Sequence, residues 1–241
     1  MTFVLPMAGL GTRFKNAGYD NPKMLIEVHG KTLLEWSVDS LPLDVCKHLI
    51  FICLKVHDIE YGLTKFIKKK YENNVEKISF IYLDEVTNGQ AETVLKAKEI
   101  IDMSTGLLIF NIDTYFESDS LKEALLKDGI DGVIGGFESN EDRFSFAKIG
   151  SDGYVVKTAE KDVISDTALT GLYHFKRASD FVNVAQRHID NNITTQDEFY
   201  IAPMYNELIS MGKKYIVDFV KDHWILGTPS ELENFRDKYK D

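Results

Sequence analysis

Short apolar runs and stretches of helical periodicity take turns through the first 130 residues, and this alternation constrains the fold more than any other feature. Residues 2–5, 49–54, 78–83 and 107–112 read as strands, and 33–41, 59–71, 91–101 and 121–128 as the helices between them. A strand that is apolar throughout must be covered on both faces, and a helix between successive strands supplies the cover. The pattern therefore predicts an α/β fold: a mostly parallel central sheet flanked by helices. Beyond residue 131 the strands shorten, to 132–137, 146–149, 154–158 and 172–175, with the hairpin signal Ser151-Asp152-Gly153 between two of them. Antiparallel strands are expected to mix into the sheet there. Helices at 178–190 and 201–211, a strand at 215–220 and a helix at 230–239 complete the reading. With no low-complexity linker and no internal repeat, one domain over 1–241 is the simplest organisation, with a change of character between 1–130 and 131–241.

The first strand runs straight into Met7-Ala8-Gly9-Leu10-Gly11-Thr12-Arg13-Phe14. Two glycines after a buried strand let the backbone turn sharply and bring amides close to an anion. A dinucleotide-binding loop would need its third glycine where Phe14 stands, and a Walker loop would need a lysine that is missing. Arg13 and, after Asn21-Pro22, Lys23 instead place two cations beside the loop, which suits a triphosphate. The formal net charge of −10 makes this local cation supply meaningful and opposes sequence-independent nucleic-acid binding. The run Lys68-Lys69-Lys70 falls on a helical segment and reads as a solvated face.

The segment Met7–Phe14 with Pro22-Lys23 resembles the signature of the sugar-phosphate nucleotidyltransferases. The resemblance continues in order through Gly30-Lys31, Gly89-Gln90-Ala91, Asn111-Ile112-Asp113, Glu160-Lys161, Gly171-Leu172-Tyr173 and Gly227-Thr228-Pro229. It implies a Rossmann-like domain whose first half binds nucleotide and whose second half binds the acceptor. It also implies transfer of NMP from an NTP to a small phosphorylated acceptor, with release of pyrophosphate. The wording Leu5-Pro6-Met7-Ala8-Gly9 with Ala17-Gly18-Tyr19 is closest to small stand-alone members of surface-polysaccharide clusters. That subgroup includes a cytidylyltransferase that activates phosphoglutamine for capsule phosphoramidate, so CTP is the favoured nucleotide. Uridylyl or thymidylyl transfer to a sugar 1-phosphate is the alternative within the family.

A phosphate monoester is mostly dianionic at neutral pH, so the nucleophile needs no strong base. The protein must hold two anions together and neutralise developing charge, which calls for cations, amides and Mg2+. Asp113 ends an apolar run, where ligands bind in an open α/β sheet, and is the first metal candidate. Ser118 and Asp119 serve better as caps for the next helix. The family's second metal carboxylate falls where Ile225 stands. Either Asp222 replaces it, which is the preferred reading, or Asp113 holds the metal with the NTP alone. By resemblance Lys23 contacts the α-phosphate, and Arg13 holds the β- and γ-phosphates with Met7, Ala8, Gly9, Gly11 and Thr12 as the amide loop. Gly89, Gln90 and Asn111 line the nucleotide site, with Gln90 reading the base edge. Glu160, Lys161 and Gly171 form the acceptor site, Lys161 on the phosphate and Glu160 on a hydroxyl or amine. The polar run Thr194-Thr195-Gln196-Asp197-Glu198-Phe199-Tyr200 either borders the acceptor pocket or caps a helix.

Three other classes compete. An NAD oxidoreductase lacks the packing glycine at Phe14. A glycosyltransferase would carry Asp-x-Asp, which Asn111-Ile112-Asp113 only half matches. A non-catalytic nucleotide-binding regulator would keep the loop and lose the metal carboxylates, which Asp113 opposes and Ile225 favours. Cys46 and Cys53 sit in or beside an apolar run and read as reduced and structural. The six histidines show no ligand spacing; His223, beside Asp222, is the one near candidate chemistry. No segment approaches the ~20 apolar residues of a membrane span, and no basic region precedes the first strand, so a cytoplasmic protein is expected. Homo-oligomerisation is left open.

Overall fold

The structure is a computed structural model and describes residues 1–240. Strand β1 (Thr2–Met7) leads into the short helix α1 (Thr12–Asn16), and a tight hairpin of β2 (Glu27–Val28) and β3 (Lys31–Thr32) precedes α2 (Leu33–Asp39). His29 (φ 47°) and Gly30 (φ 75°) both take positive φ, as that two-residue turn demands. Then come β4 (His48–Leu54), α3 (Lys55–Tyr61), α4 (Leu63–Tyr71), β5 (Lys77–Leu83), α5 (Gln90–Leu95), β6 (Leu107–Ile109), β7 (Thr114–Phe116) and α6 (Leu121–Leu126). The second half contributes β8 (Gly132–Glu138), β9 (Ser145–Ile149), β10 (Val155–Glu160), β11 (Thr167–Phe175), α7 (Ala178–Asp190), α8 (Tyr205–Ser210), β12 (Tyr215–Phe219), β13 (His223–Ile225) and α9 (Pro229–Lys238).

The main sheet, nine-stranded among the described residues, runs β10-β9-β11-β6-β1-β4-β5, with β8 on β11 and β12 on β8. Pairings among β6, β1, β4 and β5 are parallel, and β11 pairs antiparallel with β6, β8 and β9. The chain moves outward from β1 to β4 and β5, then returns to β6 on β1's other side. The order thus reverses at β1, and the crevice beyond the carboxyl ends of β1 and β6 is the ligand position of such a sheet. Alternate residues feed opposite faces: Val4, Ile50, Ile52 and Ile109 belong to one core cluster, and Phe3, Leu5, Phe51, Cys53 and Leu108 to the other. A third cluster around Trp36, Tyr115 and Phe235 seats α9 against α2 and β7.

Several boundaries differ from the sequence reading. The helix expected over 59–71 is two helices, because Gly62 (φ 63°, ψ 35°) is left-handed and ends one while starting the other. The segment 91–101 yields only α5 and a 3₁₀ turn at Lys98–Ile100. The run 107–112 stops pairing at Ile109, and the chain re-forms a strand at β7 against β13, which was not foreseen. β11 begins five residues before the expected start, since its first half pairs with β8 across a bulge near Gly171. Cys46 and Cys53 are buried and free, and burial pushes both thiols up to about 12, which keeps them protonated. Among the described residues no helix is long and apolar enough to cross a membrane.

Candidate active site

A cleft of about 570 Å³ opens at the carboxyl ends of β1 and β6. Its floor is the loop after β1. Gly11 (φ 63°, ψ 31°) turns the chain into α1, and its carbonyl accepts from the amides of Phe14 (3.0 Å) and Lys15 (3.1 Å). A Cβ on Gly11 would lie 3.3 Å from Cβ of Lys23, so the bare glycine also lets the Lys23 segment pack against the loop. Pro22 (φ −61°) starts the 3₁₀ turn Lys23–Leu25, which aims the Lys23 side chain inward. Its ammonium pairs with the Asp113 carboxylate, the two side chains being only 15% and 27% exposed. Arg13 is exposed at the cleft wall and makes no ion pair among the described residues.

Asn111 and Asp113 occupy the stretch where β6 has stopped pairing. The Gln90 amide donates to Oδ1 of Asn111 at 2.5 Å. Gly171 (φ 86°) sits at the β11 bulge against Asn111, whose side-chain amide fills the space a Cβ would need. Gly89 (φ 122°, ψ 168°) lines the cleft. What it lets in closely is the backbone of Phe199: a Cβ there would lie 2.6 Å from that residue's nitrogen.

The cleft also holds Glu160, which accepts from the Ser145 hydroxyl. Burial pushes the Glu160 carboxyl above the usual carboxylate range, while the Ser145 hydrogen bond pulls the other way. Glu198 and Tyr200, from the polar run before the C-terminal helices, also line the cleft. Met7, Ala8, Gly9, Gly11, Thr12, Arg13, Lys23, Gly89, Gln90, Asn111, Asp113, Glu160 and Gly171 all converge on this one space.

Two expected site residues do not. Lys161 lies outside the lining: it turns off β10 with φ 51°, donates to the Tyr200 hydroxyl at 2.9 Å and covers that ring. Asp222 is exposed and outside the cleft, its carbonyl taken by the Glu117 amide at 3.0 Å. The reason is strand parity. His223 and Ile225 of β13 face the cleft, and a spacing of two leaves the alternate residues 222 and 224 on the other side.

Arg143 and Phe144 line the cleft and were not expected as site residues, and His223, the one histidine singled out in the sequence, lines it too. His223 lies 3.8 Å, centroid to centroid, from the Phe137 ring, and burial pulls its imidazole down to about 4, helped by Arg143. It is a neutral ring platform at physiological pH. Arg143 stacks on Phe144 at 4.5 Å and forks to Glu141 and Glu231. A lone arginine in an irregular loop carries no sequence signal for this position. Gly227 is buried between two carboxylates: a Cβ on it would be 3.3 Å from Oδ2 of Asp113 and 3.3 Å from Oε2 of Glu231. That Glu231 oxygen is buried without a hydrogen-bond partner. Among the described residues, no group of three or more His, Cys, Asp or Glu is placed to hold a metal unaided.

The fold has close counterparts. The crystal structure of a nucleoside-diphosphate-sugar pyrophosphorylase from Vibrio cholerae RC9 superposes with a TM-score of 0.84 at 33% identity, covering 98% of this chain and 100% of that one. The chain belongs to the sugar-phosphate nucleotidyltransferase family. The bifunctional protein GlmU of Methanococcus maripaludis is 27% identical to this chain over 229 residues, 93% of the chain and 50% of that relative. A 2-C-methyl-D-erythritol 4-phosphate cytidylyltransferase of Bifidobacterium longum is 28% identical over 131 residues, 54% of the chain and 41% of the relative. The chain thus spans about half the length of the GlmU relatives it matches. No family model matches it.

Proposed function

We propose that this chain transfers NMP from an NTP, CTP by preference, to a small phosphorylated acceptor. The observation that carries the reading is the convergence of the glycine loop, Lys23, Asp113 and Glu160 in one cleft. An acceptor phosphate oxygen attacks the α-phosphorus, the bond to the α–β bridging oxygen breaks, and pyrophosphate leaves. Lys23 shifts from Asp113 to the α-phosphate, where an ammonium offsets charge gathered in the transition state. Arg13 and the loop amides hold the β- and γ-phosphates. Gln90, oriented by Asn111, presents its amide to the base edge. Glu160 meets the organic part of the acceptor, and Lys161, through Tyr200, forms the rim.

Mg2+ fits this site: the unpartnered Glu231 oxygen and the bare Gly227 beside Asp113 leave room and charge for one divalent ion. Asp113 would hold it together with phosphate oxygens and water, and the ion would supply charge neutralisation on the triphosphate. CTP rests on the subgroup resemblance and on the cytidylyltransferase relative. The same resemblance points to phosphoglutamine as acceptor and to surface-polysaccharide precursors, whereas the Vibrio cholerae relative's name points to sugars. Pyrophosphate release across CTP, UTP, dTTP and GTP, with phosphoglutamine and a panel of sugar phosphates, tests all of this. Better use of UTP or dTTP than CTP ends the cytidylyl assignment. Full activity in excess chelator ends the metal assignment, and no pyrophosphate with any pair ends the transferase reading.

A further inference from the structure

The motif Thr-x-x-Glu opens two helices in this protein, and its glutamate does two different things. At α2 the capping box is complete. The Thr32 hydroxyl accepts from the Glu35 amide at 3.2 Å, and the Glu35 carboxylate accepts from the Thr32 amide at 2.8 Å. At α9 only half of it forms. The Thr228 hydroxyl accepts from the Glu231 amide at 3.3 Å, while the Glu231 carboxylate does not reach back to the Thr228 amide. It turns toward Gly227 and Arg143 instead. Arg143 takes Oε1, and Oε2 is buried with no partner. A buried carboxylate oxygen is rarely left bare, and a proper cap was available to this one within its own helix turn.

What Oε2 faces is Asp113. The Cβ position of Gly227 is equidistant from the two carboxylate oxygens, at 3.3 Å from each, so their separation cannot exceed twice that distance. Gly227 does not take positive φ, so glycine is there for space rather than for backbone conformation. A side chain at this point would fill the gap between the two oxygens. Two carboxylates that close disfavour one another unless a cation lies between or beside them. The Lys23 ammonium already holds the Asp113 side of this pair.

We propose that Glu231, and not Asp222, is the second carboxylate for the divalent ion, standing in for the family's carboxylate at the position of Ile225. Ile225 lies on the cleft wall, and its Cγ2 is 3.8 Å from the same Gly227 point, so the side chain that departs from the family pattern borders the place where Glu231 arrives. The ligand comes from one helix turn beyond the strand rather than from the strand. This inference rests on the proposed metal-dependent transfer and is tested apart from it.

The measurement is Mn2+ binding followed by water-proton relaxation, in the presence of the α,β-methylene analogue of whichever NTP supports turnover. Glu231→Gln should weaken Mn2+ binding by about tenfold or more, with thermal stability held because the main-chain cap survives. Asp222→Asn should leave Mn2+ binding as in the unmodified protein. Arg143→Gln, which releases Glu231 from its ion pair, should leave Mn2+ binding unchanged or tighter. Gly227→Ala, which closes the gap without altering a charge, should weaken it. Asp113→Asn is the reference for the metal reading itself. If Asp113→Asn loses Mn2+ while Glu231→Gln binds it normally, the assignment of Glu231 is wrong and the metal-dependent reaction stands. If Arg143→Gln reproduces the loss seen with Glu231→Gln, Glu231 acts only by holding Arg143 and the assignment is again wrong. If neither Asp113→Asn nor Glu231→Gln alters Mn2+ binding, the metal reading fails with it.

Discussion

Replacing Gly89 with alanine imposes two costs at once. Its backbone (φ 122°, ψ 168°) lies in a region that only glycine occupies readily, and an L-residue there is strained by about 1–3 kcal/mol. The new Cβ would also stand 2.6 Å from the nitrogen, 2.8 Å from the oxygen and 3.0 Å from the carbonyl carbon of Phe199. These are main-chain atoms held on both sides: the Phe199 amide donates to Asn88 O at 2.9 Å and its carbonyl accepts from the Ala91 amide at 3.0 Å. The strand-like contact cannot yield by a rotamer change, so overpacking adds about 1–3 kcal/mol more. Gly89→Ala should therefore destabilise by about 2–6 kcal/mol, a large part of the 5–15 kcal/mol typical of a folded domain. Gly62→Ala is the matched control. Gly62 is left-handed too, but nothing lies within 4 Å of its Cβ position, so only a backbone cost of about 1–2 kcal/mol applies. Urea unfolding of both variants, with midpoints and slopes compared, reads the difference. If Gly89→Ala is no less stable than Gly62→Ala and loses only nucleotide affinity, the glycine serves ligand approach and the packing argument is wrong.

Lys23→Ala should lower kcat by more than about tenfold with little change in KM for NTP, because the ammonium acts on charge that grows during attack; a normal kcat with raised KM would make it a ground-state contact. Gln90→Leu strips Asn111 Oδ1 of its donor and removes the base-edge amide, so the preference for CTP over UTP in kcat/KM should fall by about tenfold or more in competition assays. His174 is buried with neither ring nitrogen hydrogen-bonded, and burial pulls it from 6.5 to about 3. The unfolded chain therefore takes up that proton first, and stability is lost as pH falls from about 6.5 toward 3, at up to about 1.4 kcal/mol per pH unit. His174→Leu should flatten that part of the stability–pH curve, and an unchanged slope by denaturant titration would refute the assignment.

Much of the architecture was legible because its causes are local. A run such as Leu49-Ile50-Phe51-Ile52-Cys53-Leu54 has one way to hide both its faces, and the alternation with helices follows from that requirement. The glycine loop was legible for the same reason: Gly11 must be left-handed where it stands, and Pro22 sets the turn that delivers Lys23. The misplaced boundaries at Gly62 and at the end of β6 mark where backbone conformation or pairing partners outweigh side-chain periodicity.

Asp113 could be placed at a strand end from sequence, but its partners could not. Lys23 reaches it across 90 residues, and Glu231 and Gly227 come from the far end of the chain. Asp222 looked like the replacement carboxylate because it is the first acidic residue before Gly227 and follows an apolar strand. The register of β13 on β7, with Ile225 opposite Thr114 and Trp224 opposite Tyr115, decides which side chains meet the cleft. One residue of register reverses every side chain on a strand. Sequence by itself determined the sheet, the phosphate loop and the ends of the strands where chemistry gathers, since each depends on neighbours a few residues away. Tertiary structure alone decided that Asp222 faces out, that Lys161 stands behind Tyr200 and that a glutamate at a helix start meets Asp113 at Gly227, because each depends on which surfaces distant segments press together.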